Sequence, residues 1–108
     1  KEKRTGGYIA DIKYIVEHHY GENISLAFVS QMVGLTPTYL SALFKEETGE
    51  TFTEYVVSVR VKKAKELLKT RQMKIYEIAQ AVGYTDVRYF GEVFKKNTGK
   101  TPKEYQNS

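Results

Sequence analysis

VGLTPTYLSALFK, at residues 33–45, returns in the same chain as VGYTDVRYFGEVFK, at residues 82–95. Each copy also continues alike, as TGETFTEY over residues 48–55 and TGKTPKEY over residues 98–105. Once the second turn is allowed one extra residue, the matching pairs are Tyr39/Tyr89, Phe44/Phe94, Gly49/Gly99, Thr51/Thr101, Glu54/Glu104 and Tyr55/Tyr105. A short unit repeated in one small chain predicts two contacts with a partner that is itself periodic.

The first copy has the signals of a helix–turn–helix unit. Ser25 can cap a short helix that runs through Val33, and Gly34 permits the turn that follows. Thr36 can cap the next helix, with Pro37 at its favoured first position. Apolar residues recur at helical spacing nearly everywhere in the chain, and no segment reads as a strand.

The other helices have legible boundaries too. A first helix runs from about Tyr8 to Gly21, and the capping box at residues 51–54 opens a long helix that ends near Thr70. A fifth helix is expected over residues 74–82, a sixth is capped by Thr85, and a second capping box at residues 101–104 opens the last. The sequence thus predicts an all-α fold of seven helices. They form two helix-turn-helix subdomains, residues 8–50 and 71–108, joined by a long central helix, residues 51–70, with residues 1–7 as a linker remnant.

The composition of the 108 residues narrows the possible functions. There is no cysteine, which excludes disulfides, thiol catalysis and cysteine-ligated zinc. No apolar run approaches a membrane span, and nothing resembles a signal peptide, so we expect a cytoplasmic protein without a membrane partner. The chain also has no phosphate-cradling glycine loop and no carboxylate pair set against a base. His18 and His19 lack a ligand cluster. We therefore expect no enzyme, catalytic residue, metal or cofactor.

Charge is distributed unequally along the chain. Residues 1–54 carry five basic and eight acidic side chains, a net −3, whereas residues 55–108 carry twelve and five, a net +7. Cations that face phosphate release counterions, so a basic surface of this kind suits a nucleic acid. Together with the repeat, this charge makes double-stranded DNA the expected partner.

One helix of each repeat has a face suited to base edges. In the first repeat, Leu40, Leu43 and Phe44 form the inward stripe; in the second, Phe90, Val93 and Phe94 do so. The outward stripes are Thr38, Ser41, Ala42 and Lys45, and Arg88, Gly91, Glu92 and Lys95. Short or polar side chains with a few cations allow a helix to approach a major groove closely. The aromatics at positions 39, 44, 55, 89, 94 and 105 are expected in the core.

The central helix provides a length scale for such binding. Twenty residues at about 1.5 Å each span about 30 Å. Successive major grooves on one face of B-DNA lie roughly 34 Å apart. Reading helices attached near opposite ends of this helix could therefore enter adjacent major grooves.

These motifs resemble the DNA-binding domain of AraC/XylS-type regulators over about residues 8–105. The similarity is carried by the first repeat, by Arg60, Ala64, Leu67 and Leu68 of the central helix, and by residues 75–105. It implies a bacterial transcription factor whose two helix-turn-helix motifs bind successive major grooves. The opening stretch, from Ile12 to Leu26, is most similar to members fused behind a receiver domain. The resemblance therefore favours the output domain of a two-component response regulator, with a ligand-sensing AraC-type regulator as the alternative.

Individual roles can be assigned to both outward faces. The expected base contacts are Thr38, Ser41, Ala42, Val87, Arg88, Gly91 and Glu92. The expected phosphate contacts are Thr36, Lys45, Lys74, Thr85, Lys95 and Lys96. Arg88 is the leading candidate for bidentate binding to guanine, with an exposed ion pair to Glu92 as the alternative.

Both motifs depart from the family pattern. Many members carry arginine at the positions of Ala42 and Glu92. Ala42 offers only a methyl contact, for instance to thymine, while Glu92 can accept a bond from cytosine N4 but repels phosphate. The first motif is therefore expected to discriminate weakly.

Further expectations concern protein partners and the parent protein. A helical adaptor that binds proteins is a second function class, although such an adaptor would have apolar outward stripes. Family members commonly contact RNA polymerase, and this sequence does not locate that surface. The isolated domain is expected to be a monomer, and the missing N-terminal portion could pair two copies.

Overall fold

A computed structural model describes residues 5–108, which contain seven α-helices and no strand. The helices are α1 (Thr5–His19), α2 (Leu26–Val33), α3 (Pro37–Thr48), α4 (Phe52–Thr70), α5 (Ile75–Ala81), α6 (Val87–Thr98) and α7 (Pro102–Gln106). The predicted fold class is confirmed. Of the expected linker, residues 5–7 are helical, and residues 1–4 lie outside the described residues.

The chain divides into two compact units, one ending at Val57 and the other beginning at Ser58. In the first unit the core is built on the inward stripe of α3, where Leu40 and Phe44 are fully buried. The Phe44 ring lies 6.3 Å from Phe52 and 5.4 Å from Tyr55, measured between ring centroids. The hydroxyl of Tyr55 donates to Glu17 at 2.9 Å. Burial and this bond raise the pKa of Tyr55 well above its usual range.

The second unit repeats this construction around α6. Phe90 and Phe94 are fully buried, with ring centroids 5.8 Å apart and ring planes tilted by 52°, and the Tyr105 ring of α7 lies 5.6 Å from that of Phe94. The last helix is tied to α4, because the side-chain amide of Gln106 donates to the Leu68 carbonyl at 3.2 Å. The inward stripe predicted for each repeat is therefore its core, with Val93 only half-buried.

Most helix starts form as the sequence predicts. The hydroxyl of Ser25 accepts from the Phe28 amide at 3.0 Å, and that of Thr36 accepts from the Tyr39 amide at 3.2 Å. In the capping box that opens α4, the Thr51 amide donates to Glu54 at 2.8 Å and the Glu54 amide donates to Thr51 at 3.0 Å. These side chains satisfy amides that a helix leaves without partners.

The start of α6 differs from the prediction. Asp86, not Thr85, is the N-cap: its carboxylate accepts from the amides of Arg88 at 2.9 Å and Tyr89 at 3.3 Å. The reason is a single insertion. From the cap onward the second repeat follows the first with an offset of 50, whereas its turn glycine, Gly83, follows Gly34 with an offset of 49. Thr85 is the inserted residue and precedes the cap.

We call α3 and α6 the reading helices. The tyrosines in their first turns were wrongly predicted to be core residues. Tyr39 is 50% exposed and Tyr89 is 53% exposed. The inward stripe begins one residue later in each helix, at Leu40 and Phe90, so the tyrosines are turned about 100° away from it. The side chains of Tyr39 and Tyr89 therefore lie at the edge of the buried stripe and not within the core.

Among the described residues no single helix is both long and apolar enough to cross a membrane, and only the pair α2 and α3, bent by 91°, meets the criterion by combined length and composition.

The pH dependence of the free energy of unfolding should show the contribution of the two capping-box carboxylates, Glu54 and Glu104. Backbone hydrogen bonds from Thr51 and Thr101 hold the pKa values of Glu54 and Glu104 below the ordinary 4.5. A lowered pKa stabilises the fold fully above about pH 4.5, and this stabilisation is lost as the pH falls through the folded-state value. We expect the free energy of unfolding to decrease less steeply below pH 4.5 in the double variant E54Q/E104Q, because glutamine accepts the same bond without titrating. Urea denaturation between pH 2.5 and 7 measures this.

The matched control is E46Q/E47Q, which removes two exposed carboxylates that do not cap a helix. An identical acid profile for E54Q/E104Q and the wild type would contradict the assignment.

Candidate nucleic-acid interface

The outward face of α3 has the composition predicted for a base-reading surface. Thr38, Ser41, Ala42 and Lys45 are all exposed, opposite the buried stripe. The axes of α2 and α3 are bent by 91°, and Gly34 makes the turn between them with a φ of 79°. A helix pair at about 90–120° joined by a short glycine turn is the geometry of a helix-turn-helix.

The glycine is needed for its backbone and not for space. A Cβ atom at Gly34 would meet nothing within 4 Å. The left-handed φ itself therefore selects glycine, since other residues adopt this conformation at a cost of about 1–2 kcal/mol. The turn closes through amides of Gly34 and Leu35, which both donate to the carbonyl of Ser30, at 2.9 and 3.0 Å.

The outward face of α6 carries more charge. Arg88, Glu92 and Lys95 are exposed, Val87 is 44% exposed, and Gly91 is half-buried. Nothing lies within 4 Å of a Cβ placed at Gly91, so the backbone is open at this point. Within the described residues no ion pair joins Arg88 and Glu92.

The two faces correspond residue by residue. The offset of 50 brings Thr38 to Arg88, Ser41 to Gly91, Ala42 to Glu92 and Lys45 to Lys95. Each pair occupies the same turn of a helix with the same buried stripe. The units therefore share one scaffold and differ in the chemistry of the outward face.

The candidate phosphate contacts differ in their availability. The ammonium group of Lys45 donates to the Gly49 carbonyl at 3.0 Å, which ties it to the end of its own helix. Lys95 and Lys96 are exposed in the last turn of α6. Lys74 is the N-cap residue of α5 through its backbone, whose amide donates to Glu77 at 2.7 Å, and its side chain forms no cap bond.

The starts of the two reading helices differ in charge. Thr36, a neutral cap, opens α3, whereas Asp86 places a carboxylate at the start of α6. Thr85 is exposed beside that carboxylate. Phosphate is favoured near a helix N-terminus by the dipole and the free amides. A fixed negative charge opposes that attraction at α6.

A set of aromatic contacts supports the start of α6. The sequence did not indicate these contacts. The guanidinium of Arg60, on α4, lies 5.1 Å from the ring centroid of Tyr84, and that ring lies 5.8 Å from Tyr89 in an edge contact. Burial raises the pKa of Tyr84, and the positive charge of Arg60 opposes the rise. Arg60 is thus an internal anchor of the second unit, and it holds the residues that lead into α6.

Tyr39 and Tyr89 are functional candidates that the sequence interpretation missed. They occupy the same position in the first turn of each reading helix, next to Thr38 and Arg88. A signal was present in the sequence, because the repeat conserves an aromatic at this position where the inward stripe has not yet begun.

The described residues contain no group of three or more histidine, aspartate or glutamate side chains that could hold a metal ion. The interface consists of two exposed helix faces, and the chemistry that it offers is hydrogen bonding, charge and apolar contact.

Two exposed reading helices on duplicated helix-turn-helix scaffolds define a DNA-binding domain. The sequence matches a helix-turn-helix domain family over residues 29–108. YesN of Bacillus subtilis (strain 168), described as an uncharacterized transcriptional regulatory protein, is 41% identical over 98 residues, which cover 88% of this chain and 27% of YesN. The chain belongs to the AraC-type family of transcription regulators, and this domain binds DNA and is not an enzyme.

Solved structures agree with this assignment. The C-terminal domain of AraT, a response regulator from Geobacillus stearothermophilus, superposes with a TM-score of 0.92 at 31% identity, covering 97% of this chain and 88% of that one. The C-terminal domain of the two-component response regulator yesN from Fusobacterium nucleatum gives 0.84 at 42% identity, with coverages of 88% and 93%. The DNA-binding domain of AdpA, solved in complex with a target DNA, gives 0.86 at 19% identity, with coverages of 92% and 89%, a likeness of fold alone.

The chain is shorter than the full-length regulators. It spans 27% to 39% of the length of the first four curated relatives that it matches. The domain is therefore similar to one portion of those proteins.

The cap of α6 can be tested by stability alone. We expect Asp86→Ala to lower the free energy of unfolding by about 1 kcal/mol, within a range of roughly 0.5–2 kcal/mol, because two amides lose their acceptor. Thr85→Ala should change it by less than about 0.5 kcal/mol. Urea denaturation of the DNA-free domain measures both, with Thr36→Ala as the matched cap of the other motif. A larger loss for Thr85→Ala than for Asp86→Ala would reverse the assignment.

Proposed function

We propose that this chain is the output domain of a bacterial response regulator, and that it inserts α3 and α6 into successive major grooves of one duplex. The observation that carries the proposal is the residue-by-residue equivalence of the two outward faces in a chain of the AraC-type family. Two equivalent reading helices suit a ligand whose grooves repeat.

The length of α4 supports this arrangement. Its 19 residues span about 28 Å at 1.5 Å per residue, close to the roughly 34 Å between successive major grooves. The same helix contributes to both units, since the boundary at Val57 and Ser58 falls inside it.

The second motif is the main source of direct base readout. Arg88 is exposed at the start of α6, and in this proposal it donates two hydrogen bonds to guanine O6 and N7. Glu92, one turn later, accepts from cytosine N4. Gly91 lets the backbone approach closely between them, and the half-exposed Val87 makes apolar contact. In the first motif Thr38 and Ser41 bond to base edges and Ala42 contributes a methyl group.

Contacts with the sugar–phosphate backbone hold the domain in register with the DNA. Lys95 and Lys96 neutralise phosphates beside α6, Lys74 does so at the start of α5, and Lys45 does so when it leaves the Gly49 carbonyl. The hydroxyls of Thr36 and Thr85 hydrogen-bond to phosphate at the starts of the reading helices. These contacts supply affinity that depends on salt and not on sequence.

The response-regulator parent is supported by two of the structural matches, both described as C-terminal domains of response regulators. In such a parent the missing receiver portion pairs two copies, while this domain alone is a monomer. The full protein acts in the cytoplasm and contacts RNA polymerase. A ligand-sensing AraC-type parent would use the same DNA-binding surface.

Selection from a random DNA pool tests the bipartite arrangement. We expect two short blocks of preferred sequence about one helical turn apart, because each motif reads one groove. Inserting five base pairs between the blocks turns the second block to the opposite side of the duplex and should abolish the gain in affinity that the second block provides. A single block, or no effect of the insertion, would contradict the proposal.

Arg88 can be separated from a phosphate contact by the pattern of loss. We expect Arg88→Ala to cost about 1–3 kcal/mol on the selected site and to relax preference at one base pair. The matched variant Lys96→Ala should weaken all sequences alike and reduce the salt slope by about one. Competition binding on a set of single-base variants measures both, and a uniform loss for Arg88→Ala would assign it to the backbone instead.

A further inference from the structure

An open depression interrupts the outward face of α3. It has a volume of about 470 Å³ and is lined by Leu26, Pro37, Thr38, Ser41 and Ala42. Four of these residues lie in the first half of α3, and Leu26 is the first residue of α2. The depression therefore belongs to the first helix-turn-helix motif and opens on the surface assigned to base contact.

The lining of this depression contains no charged side chain. Leu26, Pro37 and Ala42 contribute only carbon, and Thr38 contributes a methyl group beside its hydroxyl. Within the described residues, the hydroxyls of Thr38 and Ser41 form no hydrogen bond with the protein. They are available to a base edge at the rim of an otherwise apolar hollow.

The equivalent surface of the second motif has the opposite chemistry. The offset of 50 replaces Thr38 by Arg88 and Ala42 by Glu92, so two positions that line the depression in the first motif carry charged side chains in the second. From the cap onward the two helices α3 and α6 correspond residue by residue, and their outward side chains differ. The first motif is thus adapted to a feature of DNA that needs no charge to recognise.

One base provides such a feature in the major groove. Guanine, cytosine and adenine present only hydrogen-bonding groups there, whereas thymine adds an apolar methyl group at C5. We propose that the depression receives the C5-methyl edge of a thymine and that the first motif selects its half of the site in this way. The volume admits the edge of a base, and Ser41 or Thr38 can donate to thymine O4 at the rim. This inference rests on the proposed function, because it assumes that α3 enters a major groove.

The test changes only the methyl group. Each thymine in the block bound by the first motif is replaced by deoxyuridine, which pairs identically and lacks the C5 methyl. The block bound by the second motif is identified as the one whose preference Arg88→Ala relaxes. We expect about fourfold weaker binding for at least one replacement in the first block, the effect of one apolar carbon removed from contact. Deoxyuridine in the second block should not lower the affinity in this way.

A protein variant then assigns the effect to the depression. Ala42→Ser is an exposed helix substitution that makes the hollow polar, and it should bring the affinity ratio between thymine and deoxyuridine close to one. In a matched DNA series, 5-methylcytosine should bind more tightly than cytosine at the same position, because it restores the methyl group.

The outcomes separate the two proposals. If the two blocks are required but no deoxyuridine replacement in the first block changes the affinity, the thymine inference is overturned and the bipartite arrangement stands. A methyl effect that Ala42→Ser leaves unchanged places the methyl group elsewhere and also overturns it. A domain without two blocks of preferred sequence removes the proposed function itself.

Discussion

Burial of one apolar stripe on each reading helix is the constraint on which the rest of this domain depends. Phe44 and Phe94 are removed completely from solvent, and full burial of a side chain of this kind stabilises a fold by about 1.5–3 kcal/mol. Once the stripe is inward, the rotation of the helix about its own axis is fixed. The 3.6-residue period of the helix then determines which residues face outward. Packing of the core therefore selects the side chains that are exposed to a partner.

Helix boundaries were largely predictable because their signals are local. The caps at Ser25, Thr36, Thr51 and Thr101 each accept from an amide three residues later, so both partners of each bond lie in one short stretch of sequence. The start of α6 was not predictable in the same way, since Thr85 and Asp86 are adjacent and both are good caps. The offset of 50 between the two reading helices places Asp86, and not Thr85, at the position of Thr36.

The limits of prediction at the interface have a similar physical origin. Tyr39 and Tyr89 border the inward stripe, and hydrophobicity does not distinguish a residue at its edge from one within it. The contact between Arg60 and Tyr84 joins residues far apart in sequence, and no local pattern records it. By contrast, the outward positions Ser41, Ala42 and Glu92 were identified correctly as exposed, since the three- and four-residue spacing of their neighbours determines them. Their base contacts stay predictions.

The two repeated units differ in net charge, and therefore in how strongly each attracts phosphate. Residues 55–108 carry a net +7 and residues 1–54 a net −3, so attraction to phosphate is concentrated in the second unit. The first unit cannot rely on that attraction, and a neutral hollow on α3 is the kind of surface that discriminates without it. In the proposed arrangement, binding of the second motif raises the effective concentration of the first at its own groove, because both belong to one chain. A weak apolar contact can then influence site choice, although the same contact would be too weak to hold an isolated motif on DNA.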